Sequence, residues 1–316
     1  MKRPVILDCD PGHDDVLAIL LAGTADQIDL LGITTTAGNA DITATTENAL
    51  RFCALAELDD IPLAQGMGRA LLYQRPSQIV TIHGASGLDG YDLPAAKRAP
   101  EDRHAVDFVI DTIRQSAEPV TLIATGPLTN VALVLLLAPD LKDNVAEIVL
   151  MGGAIGLGNR TPAAEFNVWA DPEAAKIVFE SELALTMIGL EATHKAQVTQ
   201  EHAERMRQNK HLVSHGIAGL LEFVIDRNRE VYGLEGYPIH DACAVAAALN
   251  PSPAVLQSMY VAVETQGETT RGRTVCDMLG RFGRDHNAQV AVDLDGAMVL
   301  DMVFSALDRY EETTDH

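Results

Sequence analysis

Aromatic and basic side chains are scarce in this sequence of 316 residues. Aromatics make up 4% and include a single tryptophan, Trp169, while 23 Lys and Arg stand against 45 Asp and Glu, a formal net charge of −22. A face that neutralises phosphates is therefore not expected, which argues against nucleic acid and anionic membrane as partners. Long apolar runs are also missing. The longest, Val131 to Ala138, is too short to span a bilayer. After Met1-Lys2-Arg3 only a short apolar run precedes Asp8, too short for a secretory signal, so a cytoplasmic location is expected. Cysteines are few. Cys9, Cys53, Cys243 and Cys276 lie far apart without metal-ligand spacing and read as buried free thiols.

What is present is an alternation of short apolar runs with helical patterns. Strands are expected at Val5–Cys9, Leu30–Thr35, Val120–Ala124, Glu147–Met151 and Leu185–Leu190, and helices near 15–23, 41–57, 104–116, 128–138 and 172–180. These strands are continuously apolar, as strands become when helices cover both faces of a parallel sheet. Asp41 as a cap and Asp171-Pro172 at a helix start agree with two of the helices. Beyond Gln200 the pattern changes to polar helical stretches at 200–210 and 212–230, then an apolar helix Asp241–Leu249. Strands Met259–Glu264 and Gln289–Asp293 and a helix near 296–309 complete the chain. No linker or low-complexity tract divides it. The expectation is one α/β domain over 1–316: an open, mostly parallel sheet flanked by helices, with a helical segment and short strands in the C-terminal third.

Four aspartates follow the first strand within Asp8-Cys9-Asp10-Pro11-Gly12-His13-Asp14-Asp15. Like charges this crowded cost free energy unless something offsets them. Pro11-Gly12 turns the chain into an apolar helix, so the carboxylates sit where a strand ends, the edge at which open α/β sheets bind ligands. Three readings compete: oxygen ligands for a hard divalent cation, a phosphoryl-accepting Asp8 or Asp10 as in haloacid-dehalogenase phosphatases, or a capped turn with solvated neighbours. Later segments add Thr34–Ala40 with Asn39, a glycine-rich loop with His83, and Ala124–Asn130, whose backbone carbonyls suit calcium. Met151–Ala154 leads to Asn159, Glu165 and Asn167, groups suited to sugar hydroxyls. Pro238-Ile239-His240-Asp241 opens the apolar helix. Each of these alone reads equally well as an ordinary turn or cap.

Their joint order says more. Asp8-x-Asp10-x-Gly12-x-Asp14-Asp15, Thr36-Ala37-Gly38-Asn39, His83-Gly84-x-x-Gly87-Leu88, Gly126-Pro127-Leu128-Thr129-Asn130, Met151-Gly152-Gly153, Ala164-Glu165-Phe166-Asn167 and His240-Asp241 resemble the inosine-uridine-preferring nucleoside hydrolase family. That resemblance implies hydrolysis of the N-glycosidic bond of ribonucleosides with one bound Ca2+. It implies Asp10, Asp15, the Thr125 carbonyl and Asp241 as calcium ligands, supported by Asp8. Asp14, Asn39, Asn159, Glu165, Asn167 and Asp241 would grip the ribose. Asp10 would be the general base, and His240, then His83, the candidate proton donors to the departing base. His83, Asn228 and Tyr232 fall on the base side, where the lack of tryptophans resembles pyrimidine-preferring members acting on uridine and cytidine. Broad inosine/uridine specificity is the alternative. A homotetramer or dimer is implied as well. The rival classes are a phosphatase, for which Asp14-Asp15 adds charge where phosphate would bind, and a non-catalytic calcium-dependent nucleoside or sugar binder, which needs no acid or base.

Overall fold

The computed structural model describes residues 2–72 and 82–312. Its first half runs β1 (Arg3–Cys9), α1 (Asp15–Thr24), β2 (Ile28–Thr35), α2 (Ile42–Leu55), β3 (Leu63–Gln65), α3 (Ala105–Gln115), β4 (Val120–Ala124), α4 (Thr129–Leu137) and β5 (Val145–Met151). It continues through α5 (Phe166–Ala170), α6 (Pro172–Phe179), β6 (Leu185–Ile188), α7 (Leu190–Thr193), β7 (Gln197–Val198), α8 (Gln200–Gln208) and α9 (Leu212–Tyr232). The last part is β8 (Tyr237–Pro238), α10 (His240–Leu249), β9 (Ala254–Met259), β10 (Val261–Val263), β11 (Thr274–Cys276), β12 (Ala288–Leu294) and α11 (Gly296–Glu312).

Eight strands form one sheet in the order β3-β2-β1-β4-β5-β6-β12-β9. All its pairings are parallel except β12 with β9, which is antiparallel at one edge. The chain leaves β1 toward β2 and β3, then crosses back to β4 on the other side of β1. The carboxyl ends of β1 and β4 therefore flank a topological switch point, where the connecting turns diverge and leave a crevice. Side chains of β1 alternate between two helical layers, as a period of two requires. Val5, Leu7 and Cys9 pack with α1, α9, α10 and α11, whereas Ile6 packs with α3, α4 and α6.

Helix α1 is buried from Asp15 through Ala22, which explains its unbroken apolar run. It packs on α10, whose alanines let the two helices approach closely. This pairing brings both helix N-termini to the same sheet edge. The expected cysteines are free thiols, three buried and Cys276 half-buried. Among the described residues no helix is long and apolar enough to cross a membrane.

The expected main strands and helices form, with differences at short or split elements. The apolar run Met259–Glu264 is not one strand. It breaks at Tyr260, because Ala254–Met259 pairs with β12 while Val261–Val263 pairs with β11 in a separate small sheet. Asn287 holds the break by bonding both the Val261 amide and its carbonyl. The run Leu185–Leu190 stops at Ile188, where Gly189 leads into α7. Edge strand β3 has three residues, too few for a period to be read.

Asp171 links two parts of the frame. It caps α6 through the Ala174 amide and accepts from the Thr129 hydroxyl at 2.7 Å and the Leu71 amide at 2.9 Å, fully buried. Asp171→Ala leaves these donors unsatisfied and should cost about 2–4 kcal/mol of stability. Urea denaturation monitored by circular dichroism measures it; an unchanged midpoint would refute this reading of the cap.

Candidate active site

The carboxylates gather at the switch point because the end of β1 and the starts of α1 and α10 meet there. Asp8 and Asp10 leave β1, Asp14 precedes α1, Asp15 opens it, and Asp241 stands in the first turn of α10. Carboxylates at two helix N-termini meet the partial positive charge of unpaired amides. All five are buried. Carboxylate oxygens of Asp14, Asp15 and Asp241 lie within 4.8 Å of one another, close enough to share one cation.

Each acid has its own partners. Asp8 accepts from Thr34 at 2.6 Å and Asn130 at 2.8 Å, and its second oxygen is buried without a partner. Asp10 accepts from the Asn39 amide at 2.7 Å. Asp15 accepts from the Gly12 amide at 3.0 Å, the Thr125 hydroxyl at 3.0 Å and the Asn39 side chain at 3.3 Å. Asp14 accepts from the Tyr237 hydroxyl at 2.9 Å. Gly38 and Gly126 lie against the Asp10 carboxylate so closely that a side chain at either would collide with it.

These bonds do not offset the crowding. Burial, then repulsion from neighbouring acids, pushes Asp10 and Asp241 well above the carboxylate range and Asp14 to about 7. Burial raises Asp8 to about 6 and also raises Asp15. Among the described residues no Lys or Arg pairs with any of the five; the ion pairs lie elsewhere. A buried all-oxygen donor set lacking a cation fits a hard divalent ion. The backbone carbonyl of Thr125 borders the same space, although it accepts from Asn167 at 2.7 Å.

Beside the acids opens a cavity of about 580 Å³. Asp10, Asp14, Asn39, Thr125 and Asp241 line its floor, and Asn159, Glu165 and Asn167 one wall. His83, Asn228, Tyr232 and His240 border it from other segments. Of the residues singled out as ligands or substrate contacts, only Asp15 does not line it, although its carboxylate reaches the shared volume with Asp14 and Asp241.

The wall residues are held by backbone. Glu165 caps α5, accepting from the amides of Asn167, Val168 and Gly153, and its burial raises it to about 7 against those bonds. Asn159 accepts from the Phe166 amide, and Asn167 donates to the Thr125 and Met151 carbonyls. His240 meets the Thr193 hydroxyl at 2.7 Å through Nδ1, and burial lowers it to about 3. Burial likewise lowers His83 far below the usual imidazole value. Tyr232 is 60% exposed at the end of α9, at the cavity rim. Asn228 is buried and donates to the Gly236 carbonyl, fixing the turn before β8. Tyr237 of β8 is the residue that grips Asp14. Phe166 of the Ala164–Asn167 motif borders the cavity, as do His194 and Arg160, which carry no sequence signal of their own.

Comparison with known proteins agrees with this arrangement. The family model described as inosine-uridine preferring nucleoside hydrolase matches residues 5–301. A pyrimidine-specific ribonucleoside hydrolase RihA of Shewanella woodyi is 45% identical over 98% of this chain and 99% of that protein. RihA of Escherichia coli O7:K1 is 46% identical over 98% and 100%. Among solved structures, a purine-preferring ribonucleoside hydrolase from Gardnerella vaginalis superposes with a TM-score of 0.91 at 32% identity, covering 99% of this chain and 100% of that one. A plant nucleoside hydrolase, PpNRh1, also gives 0.91, at 29% identity over 97% and 99%. A cation-hungry oxygen cluster at the floor of a cavity walled by amide and carboxylate groups, on this topology and with these relatives, makes the chain a member of the inosine-uridine preferring nucleoside hydrolase family and an N-ribosyl hydrolase.

Proposed function

We propose that this enzyme is a calcium-dependent ribonucleoside hydrolase with a preference for pyrimidine nucleosides, uridine and cytidine. The observation that carries the metal part is the buried group Asp14, Asp15 and Asp241, which shares one small volume with no protein cation to offset it. Asp10, Asp15, the Thr125 carbonyl and Asp241 are the proposed Ca2+ ligands, with Asp14 at the boundary between metal and ribose. A bound divalent cation offsets the carboxylate repulsion and lowers the pKa of water at the site.

The reaction breaks the bond between C1′ and the base nitrogen, and its electron pair leaves with the base. Water supplies the new C1′–O bond and gives its proton to Asp10, the general base. Asp10 is suited to this because the Asn39 amide, Gly38 and Gly126 hold its carboxylate in one orientation. Positive charge develops on the ribose ring as the bond stretches. Preorganised carboxylates stabilise it without reorganising. Asn39, Asn159, Glu165 and Asn167 are the proposed ribose contacts, together with Asp14 and Asp241. The departing base must gain a proton or a hydrogen bond, and His240 is the proposed donor. Its Nδ1 is occupied by Thr193, so Nε2 is the atom available to the base.

Base preference rests on two supports. The RihA relatives, at 45–46% identity, are named pyrimidine-specific. Among the described residues the cavity lining includes Tyr232, Asn228 and three imidazoles, His83, His194 and His240, but no tryptophan, and Trp169 instead lies under the Arg160 guanidinium. The rim formed by the described residues lacks the wide aromatic platform that favours purine stacking. The family resemblance further supports a cytoplasmic homotetramer or dimer acting on a small molecule.

Three measurements test this. Asp10→Asn should lower kcat by at least about 10³-fold, since both base and ligand functions go, with the fold retained by circular dichroism; near-wild-type turnover would remove Asp10 from the chemistry. His240→Ala should reduce kcat on uridine about 10²–10⁴-fold yet spare a nitrophenyl riboside, whose leaving group needs no proton. Equal losses would argue against proton donation. Release of free base from uridine, cytidine and inosine, before and after exhaustive chelation, checks the rest. Activity should vanish without metal, return with calcium and favour the pyrimidines; inosine preferred tenfold would reverse the assignment.

A further inference from the structure

His13 stands in the middle of the aspartate turn, and the reaction above gives it no task. Its ring is fully buried and lies nearly parallel to two others, His83 at 5.2 Å and Phe223 at 5.6 Å between centroids. Its Nε2 is 2.8 Å from the Asp89 backbone carbonyl, and its Nδ1 is 3.0 Å from Nδ1 of His83. The loop that supplies the carbonyl is itself tied down. The Asp89 carboxylate accepts from the Ala85 and Ser86 amides and the Ser86 hydroxyl, and Asn48 bridges the Ser86 and Pro11 carbonyls.

A carbonyl oxygen can only accept, so His13 Nε2 must carry a proton. An uncharged His13 then has a bare Nδ1. The 3.0 Å contact is a hydrogen bond only if His83 Nδ1 holds the proton, which leaves the lone pair of His83 on Nε2. The His13 backbone amide also points at His83 Nδ1, at the longer distance of 3.4 Å. The opposite His83 tautomer would accept that bond but would set two lone pairs 3.0 Å apart, unless His13 took up a second proton. Among the described residues no carboxylate contacts either His13 nitrogen, and burial opposes an isolated charge.

We propose that His13, anchored on the Asp89 carbonyl, is a positioning residue that holds His83 as a hydrogen-bond acceptor toward an O–H or N–H donor of the bound nucleoside. His83 is thereby removed from the proton-donating role, which is left to His240. This rests on the reading that His83 borders the substrate, and it turns on which nitrogen is protonated, a quantity that can be observed directly.

Nitrogen-15 spectra of histidine-labelled, calcium-loaded enzyme, assigned with single variants, should show His83 protonated on Nδ1 and bare on Nε2, with His13 protonated on Nε2 alone. A proton on His83 Nε2 overturns the proposal. In kinetics, His13→Phe keeps a ring beside Phe223 but loses both hydrogen bonds, and should lower kcat/KM for uridine about tenfold, mainly through KM. His13→Asn, whose Oδ1 can accept from His83 Nδ1, should recover most of that loss. Equal losses in the two variants would mean that His13 only fills space. His83→Ala separates the premises: unchanged kcat/KM there would refute substrate contact by His83, while the imidazole spectrum would still judge the positioning.

Discussion

Electrostatic crowding of buried carboxylates at the end of β1 is the constraint on which the site depends. Asp10, Asp14, Asp15 and Asp241 are enclosed with no Lys or Arg partner among the described residues, and burial with mutual repulsion raises their proton affinity. Helix N-termini, the Gly12 and Asn39 amides and the Thr125 hydroxyl offset part of this cost. What they leave over is the affinity of the site for positive charge. A divalent cation and a ribose ring turning cationic would draw on the same surplus, so the proposed metal binding and transition-state stabilisation would come from one arrangement.

Much of the surrounding fold serves to bring these acids together and keep water from screening them. The crossover from β3 to β4 opens the crevice beside β1. Small side chains along α10 allow it to pack against α1, which delivers Asp241 to Asp14 and Asp15. Glycines 38 and 126 let two neighbouring turns close over Asp10. On the opposite wall, Glu165 spends its oxygens on three backbone amides, so it shapes the loop from Gly153 to Asn167 as much as it faces the cavity. The imidazoles are likewise defined by what occupies one nitrogen of each: Thr193 for His240, and the His13–Asp89 pair for His83.

Legibility of these features followed their range along the chain. The continuous apolar strands, the buried helix after Pro11-Gly12 and the caps at Asp41 and Asp171 are local signals, and they formed where periodicity and capping chemistry required. The motif order also singled out the cavity-lining Asp10, Asp14, Asn39, His83, Glu165, Asn167, His240 and Asp241, but not Arg160, His194, Gln197 or Tyr237. Elements whose identity depends on a distant partner were not readable. The run from Met259 to Glu264 is uniform in sequence but divides at Tyr260 between two sheets, and β3 exists only because β2 offers it an edge.

By itself the sequence determined the chemical inventory: a crowded acidic turn at a strand end, amide and carboxylate groups suited to a sugar, two histidines, and an α/β frame to carry them. Tertiary structure alone decided which oxygens share a volume, namely Asp14 and Asp15 with Asp241 more than two hundred residues away. It also decided that Tyr237 grips Asp14, and that His13, anchored on the Asp89 carbonyl, meets His83. The reason is that hydrogen bonds form only at about 3 Å and strong ionic repulsion needs charges closer than a Debye length of about 8–10 Å. Their partners are set by how helices and loops pack across the sheet, and sequence spacing carries no record of that.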